Sequence, residues 1–235
     1  MTAAPSSSPV LSAGSLVKTY GTAVALGGVD FRVAAGESVA IMGASGSGKT
    51  TLLHCLAGII QPDSGTVRLV APSGLVDVAT LSEKERSRLR RESFGFVFQQ
   101  GFLLPELTAV ENVALPLMLG GTARAQAEQE AAGWLAALGL AGFETRRIGQ
   151  LSGGQAQRVA IARAQVTGAS VVFADEPTGA LDSNTSAEVM DALIGSTTGR
   201  GRSLVVVTHD ENVAARCSRV VQLADGRIVD EAVTA

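Results

Sequence analysis

The 235 residues carry 46% hydrophobic side chains but only 4% aromatic ones, so any buried core has to be built from Val, Leu, Ile and Ala. That length suits one compact unit, or one core with an inserted subdomain. A formal net charge of −3 argues against general electrostatic binding to nucleic acid, leaving room only for a local basic patch.

The first dozen residues, MTAAPSSSPVLS, lack the basic start and apolar block of a signal peptide. They read as a disordered tail over residues 1–12, ahead of a single domain over 13–235. Short β-like runs follow at Leu16–Thr19 and Val29–Val33, and Glu37–Met42 is a buried strand that ends at a glycine-rich turn. A helix over Thr50–Ala57 is stopped by Gly58. Further short strands are expected at Val67–Val70 and Leu75–Val78. Ser82 and Glu85 form a capping box for a helix through Arg91, whose RLRR segment reads as a solvated face.

Phe94–Gln99 is a strand leading into an irregular segment. Ala131, Trp134, Leu135 and Leu138 recur at helical spacing and support a helix over Ala123–Leu138, with Trp134 packed in the core. Another helix is expected from Ser152 toward Thr167. Val171–Ala174 and Leu204–Val207 are continuous apolar runs of the kind found in a sheet covered on both faces. Val220–Leu223, Asp225-Gly226 and Ile228–Val229 read as a hairpin. Strands alternating with helices imply an α/β core with a largely parallel sheet, carrying a mostly helical insertion over about residues 100–165. Cys55 and Cys217 supply neither a disulfide framework nor metal-ligand spacing and read as packed thiols. No stretch approaches the roughly 18 apolar residues needed to span a bilayer, so at a membrane another polypeptide must supply the spans.

GASGSGKT at 43–50 is a complete G-x-x-x-x-G-K-[ST] loop between a strand and a helix. Gly43, Gly46 and Gly48 let successive backbone N–H groups turn toward phosphate oxygens. Lys49 brings a cation for the β- and γ-phosphates, Thr50 a hydroxyl for Mg2+, and the following helix its positive end. Ser45, Ser47 and Thr51 complete the candidate nucleotide-binding loop. By itself the motif implies only a nucleoside triphosphatase. SVVFADEP at 170–177 then ends a buried strand on two acids, with Asp175 suited to orient Mg2+ and Glu176 to act as general base on the attacking water.

LSGGQAQRVAIARA at 151–164 narrows the class. Ser152 caps a helix, and Gly153 and Gly154 expose N–H groups at its positive end, with Gln155 next in line. Two anion sites so far apart in one chain suggest one site shared between two copies. Together these motifs resemble the ABC ATPase family, over about Leu16 to Val229. The resemblance implies a RecA-like P-loop core with a small antiparallel β subdomain and an inserted α-helical subdomain, residues 13–235 forming the ATP-binding domain. It also implies a head-to-tail dimer in which each ATP lies between one copy's phosphate loop and the other's LSGGQ. By motif, Tyr20 in KTYG matches the aromatic that stacks on adenine, and Gln99 in FVFQ the glutamine that contacts Mg2+ and the attacking water, with Gln100 the weaker claimant. Asp182 in GALDS matches the loop that communicates across the dimer, and His209 in VVVTHD the γ-phosphate switch. His54, the other histidine, reads as structural. The departures are small: QAQR where relatives often have QQQR, and Gln165 where an aliphatic residue is usual.

There is no room between Gln99 and Leu151 for the long coiled-coil arm of chromosome-maintenance relatives. LSEKERSRLRRESFGFVFQ, LLPELTAVENVALPL and ADEPTGALDS look like the macrolide-export and lipoprotein-release group. That resemblance implies an Mg-dependent ATPase at the cytoplasmic face of the inner membrane, bound peripherally to integral-membrane permease subunits. Its cargo would be lipophilic or peptide-like, of the heme, macrolide, antimicrobial-peptide or lipoprotein type, and would not touch this chain. The alternative is a mechanical ATPase that regulates cell-wall hydrolysis without transport.

Overall fold

Ser38–Met42 (β3) is buried at every residue, the signature of a strand covered on both faces. In the computed structural model, which describes residues 9–71 and 73–234, this strand is central to a six-stranded sheet. The sheet also contains Phe94–Phe98 (β6), Val171–Asp175 (β7), Ser203–Val207 (β8), Arg219–Ala224 (β9) and Arg227–Val233 (β10). The spatial order is β10-β9-β3-β8-β7-β6, parallel throughout except for β10 at the edge. A second, antiparallel sheet of order β2-β1-β4-β5 is built from Pro9–Tyr20 (β1), Ala23–Ala34 (β2), Ser64–Ala71 (β4) and Gly74–Asp77 (β5). This is the α/β architecture expected from the sequence.

Alternate residues of the parallel strands feed two cores, because side chains along a strand alternate between faces. Phe173, Val205 and Ile41 face the antiparallel sheet and meet Leu11, Leu16, Leu26 and Leu69, with Leu52, Leu53 and Leu56 of the helix Lys49–Leu56 (α1) between them. Val172, Ala174 and Val206 face the other way, onto Arg124–Ala137 (α4), Gly153–Gln165 (α5) and Ser183–Thr197 (α6). Trp134 of α4 packs at the rim of that second core, half-buried, with the guanidinium carbon of Arg200 4.3 Å from its ring centroid. Cys55 and Cys217 are buried thiols, and burial pushes them up to about 11 and about 12.

The structure corrects the tail boundary at residue 12. Pro9–Ser12 begin β1 and pair on both sides, Leu11 with Val33 and with Leu69. Leu11 is fully buried, which contributes about 2 kcal/mol. The rest of the expected tail, residues 1–8, lies outside the described residues. Three helices that the sequence left unread also appear, Ala109–Leu119 (α3), α6 and the single turn Glu211–Ala214 (α7). The Ser82–Glu85 capping box forms as expected at the start of Glu83–Ser93 (α2). Arg88 and Arg91 of RLRR are exposed as expected, whereas Arg90 is partly buried, clasping Glu83 and donating to the Gly58 carbonyl. Between β6 and β7 the described elements are α3, α4, a 3-10 turn at Ile148–Gln150, and α5. Of these, α5 also packs directly on β6, the Ala164 carbonyl lying against Gly95.

Gln165, the residue that departs from the expected aliphatic, is fully buried at the end of α5. Its amide nitrogen donates to the Thr197 hydroxyl, and its carbonyl oxygen accepts from Arg202 Nη1 at 2.8 Å. The polar side chain therefore joins α5 to the end of α6 and to the approach of β8. Gln165→Leu should cost about 1–3 kcal/mol, because Arg202 loses a partially buried acceptor. A fall in the urea midpoint at unchanged m-value is the measurement.

Candidate functional site

The loop after β3 is shaped by backbone crowding. A methyl group on Gly43 would lie 2.1 Å from the Leu223 carbonyl oxygen, and one on Gly48 2.3 Å from that of Ala25, so neither position admits a side chain. Gly48, at φ +103, leads straight into α1, which has no side-chain N-cap. Its first N–H groups are therefore open to an anion, supported by the helix dipole. Lys49 Nζ donates to the carbonyls of Gly43 and Ala44 at 2.7 and 2.8 Å, which leaves one of its three N–H donors over. Ser47 is turned inward: its hydroxyl is buried without a hydrogen-bond partner among the described residues, and its backbone carbonyl accepts from Gly226 N–H.

The loop borders a cavity of about 700 Å³. Gly43, Ser45, Gly46, Gly48, Lys49, Thr50 and Thr51 form its floor, Tyr20 and Ala25 one wall, and Asp175, Glu176, Val207 and His209 the other. Tyr20 is half exposed at the end of β1, with Lys18 Nζ 5.7 Å from its ring centroid. Asp175 ends β7. Burial raises its carboxyl above the usual range, opposed by the charges of His54 and Lys49 and by a hydrogen bond from Thr50. Burial in turn lowers the His54 imidazole, in keeping with a structural role on α1.

Glu176 adopts φ +48, a left-handed conformation that costs a non-glycine residue about 1–3 kcal/mol and is found where function holds it. Its N–H donates to the Val207 carbonyl at 2.9 Å, continuing the sheet one residue past the strand. His209 Nδ1 lies 2.8 Å from Glu176 Oε1, and the buried Thr208 hydroxyl donates more weakly to Oε2 at 3.4 Å. The hydrogen bond to Glu176 and its negative charge raise the His209 imidazole above its ordinary value, favouring the charged form. His209 is otherwise exposed, its side chain 74% accessible.

Gln99 follows β6 and borders an adjoining cavity of about 350 Å³ with Gln100, Thr50, Asp175 and Glu176. Its amide nitrogen sits 2.9 Å from where a methyl group on Gly179 would be, so that glycine makes its place. Among the described residues no three His, Cys, Asp or Glu side chains converge as a metal cage. Thr50, Asp175 and Gln99 do offer hard oxygen donors where the two cavities adjoin, a set that would fit Mg2+ shared with phosphate and water.

The remaining predicted residues lie elsewhere. Ser152 caps α5 reciprocally with Gln155, at 2.9 and 3.3 Å. Gly153 and Gly154 pack toward Leu181 and Thr185 of the same chain, and none of these four lines the cavity. Asp182 caps α6, accepting from Asn184 N–H, Thr185 N–H and the Thr185 hydroxyl. Sequence reasoning missed Thr208 and Gly179, although each lies inside a motif already singled out.

Among the described residues no helix is long and apolar enough to cross a membrane. The sequence model described as ABC transporter matches residues 26–179. The chain is 48% identical over 208 residues to the macrolide export ATP-binding/permease protein of Burkholderia thailandensis, covering 88% of this chain and 31% of that one. It is 47% identical over 206 residues to the pyoverdine export ATP-binding/permease protein of Pseudomonas putida, again 88% and 31%. The chain thus spans under a third of the length of these curated relatives. The dimeric structure of a post-hydrolysis state of an ATP-binding cassette bound to ADP and Pi superposes with a TM-score of 0.84 at 38% identity, covering 96% of this chain and 99% of that one. With a family model spanning most of its length, and a solved cassette matched almost end to end, the chain belongs to the ABC transporter family.

Proposed function

We propose that the chain is the ATP-binding and ATP-hydrolysing subunit of an exporter. The observation that carries this reading is the Glu176–His209 pair, held at 2.8 Å on the wall of a cavity floored by the phosphate loop. The open α1 N-terminus and Lys49 bind the β- and γ-phosphates, and Tyr20 offers its ring to adenine. Glu176 takes the proton of the attacking water. His209, held at one nitrogen and otherwise exposed, turns from Glu176 to the γ-phosphate and frees Glu176 Oε1 for that water. Thr50, Gln99 and, directly or through water, Asp175 would hold Mg2+, which when bound would supply charge neutralisation at the phosphate oxygens.

Two copies act together, head to tail. The Ser152–Gln155 end of α5 completes the partner's cavity, and Asp182 lies beside the contact. The separation of the α5 N-terminus from the chain's own cavity supports this, as does the likeness to a dimeric cassette. The dimer sits peripherally at the cytoplasmic face of the inner membrane under permease subunits, with no contact to cargo or nucleic acid. A groove of about 540 Å³ between α2, β6, α3 and α5, lined by Phe94, Phe96, Leu115, Leu119 and Arg91, is the apolar surface this reading offers to the permease. Because the relatives are named for export, cargo export is favoured over mechanical regulation of wall hydrolysis.

Lys49→Ala tests the reading. Wild-type chain should bind Mg-ATP and hydrolyse it, whereas Lys49→Ala should lose about 100-fold in ATP affinity by calorimetry, as expected when a charge-assisted phosphate contact is removed. Equal affinity in the two proteins would overturn the nucleotide assignment.

A further inference from the structure

α5 does more than present its N-terminus. Two of its side chains reach back to the loop that carries Gln99. Gln157, buried, donates through Nε2 to the Phe98 carbonyl at 2.9 Å. Arg163 spreads its guanidinium over two successive carbonyls, Nη2 to Gly101 and Nη1 to Phe102, each at 2.6 Å. The clamped backbone is left-handed at both residues, Gly101 at φ +67 without strain and Phe102, a bulky aromatic, at φ +47 with it. A non-glycine residue keeps that conformation only where its surroundings hold it. The planar fork of arginine suits two neighbouring carbonyls in a way that a lysine point charge does not. At its other end α5 is seated on the chain by Gly154, where a methyl group would lie 2.4 Å from Thr185 Cγ2. The helix between is 13 residues, a rigid rod of about 20 Å.

We infer that Gln157 and Arg163 are positioning residues through which α5 sets the place of Gln99 at the edge of the nucleotide cavity. The inference rests on the proposed ATPase reading for its kinetic consequence, and on geometry alone for the tether. Gln99 is caught between the clamped loop on its C-terminal side and the bare backbone of Gly179. A shift of α5 therefore moves the loop, and the amide of Gln99 leaves its place. The helix whose first turn would meet a partner's nucleotide thereby reports at its own chain's cavity.

The test compares Arg163→Gln and Gln157→Met in the full chain, each with and without Gln99→Ala. The expected loss in kcat is about tenfold for either single variant, with KM for ATP changed less than about twofold, since the phosphate loop and Tyr20 are untouched. In the Gln99→Ala background the same substitutions should cost less than about twofold, because the residue through which they act is gone. Independently of turnover, hydrogen exchange at the amides of residues 99–104 should speed up about tenfold in Arg163→Gln, while residues 43–50 stay as in wild type. A full tenfold loss in the Gln99→Ala background, or unchanged exchange at 99–104, would overturn the proposal. Gln157→Met addresses the same loop from another point, so an unstable Arg163 variant leaves the question decidable. Wild-type chain without ATPase activity would instead overturn the ATPase reading, and the exchange result would still decide the tether.

Discussion

Glu176→Gln should bind ATP as tightly as wild type and turn it over about a thousandfold more slowly. That figure lies within the usual range for removing a general base and corresponds to about 4 kcal/mol of activation free energy. The amide fills the same space on the cavity wall but cannot accept a proton from water. With ATP held and not hydrolysed, the closed dimer should accumulate and be visible by light scattering. The substitution should also move a neighbour. In the wild type the Glu176 hydrogen bond and charge raise the His209 imidazole, so the pair is intact below that raised pKa and weakens as pH rises through it. Any stability it contributes is thus present at low pH and lost toward high pH, and is small because His209 is mostly exposed. In Glu176→Gln the His209 titration followed by NMR should fall back toward about 6.5, the value of an unperturbed imidazole. Near wild-type turnover together with an unshifted His209 would remove Glu176 from the role of base.

A large stability effect is expected away from the cavity-lining residues, at Gly95→Ala. A methyl group there would lie 2.2 Å from the Ala164 carbonyl oxygen and 3.3 Å from its Cβ, because β6 and α5 touch backbone to backbone. Neither element has a flexible side chain to yield, so α5 must lift. The loss should be roughly 3 kcal/mol by urea unfolding. The same displacement would draw Gln157 and Arg163 away from their carbonyls, so turnover should fall further than the fraction unfolded explains. Gly133→Ala is the control, since a methyl group there meets nothing within 4 Å among the described residues. In the interior of α4 it should be neutral or stabilising, by up to about 1 kcal/mol.

The parallel strands were legible because β3, β7 and β8 are continuous apolar runs, buried on both faces. The antiparallel sheet was harder. β1 and β2 each run 12 residues, yet their pairing slips register between Ala13 and Leu16 and again before Val17, with Ser15 at φ +50. Each slip breaks the alternation of period two by which a half-buried strand is recognised. α3 escaped notice because Pro116 sits inside it, although Thr108 and Glu111 form a capping box that could have marked its start. α6 opens on Asp182, a good N-cap that was read instead as a dimer contact. Within the site, motif spacing marked the phosphate loop, the end of an apolar strand marked the two acids, and the family resemblance marked His209. The left-handed turn at Glu176 and the carbonyl clamp of Arg163 depend on where other elements come to rest, and no local pattern announces them.

The distance between the first turn of α5 and the phosphate loop of the same chain has a kinetic consequence. On the proposed reading, an isolated chain is half an enzyme, and dilute chains hydrolyse ATP at a rate rising with the square of their concentration. Fixing two copies to one membrane scaffold replaces that encounter with an intramolecular one, at an effective concentration set by the geometry of the attachment. The permease would then act as a tether that makes turnover first order, so that a small change in how it holds the two chains becomes a large change in how often they meet.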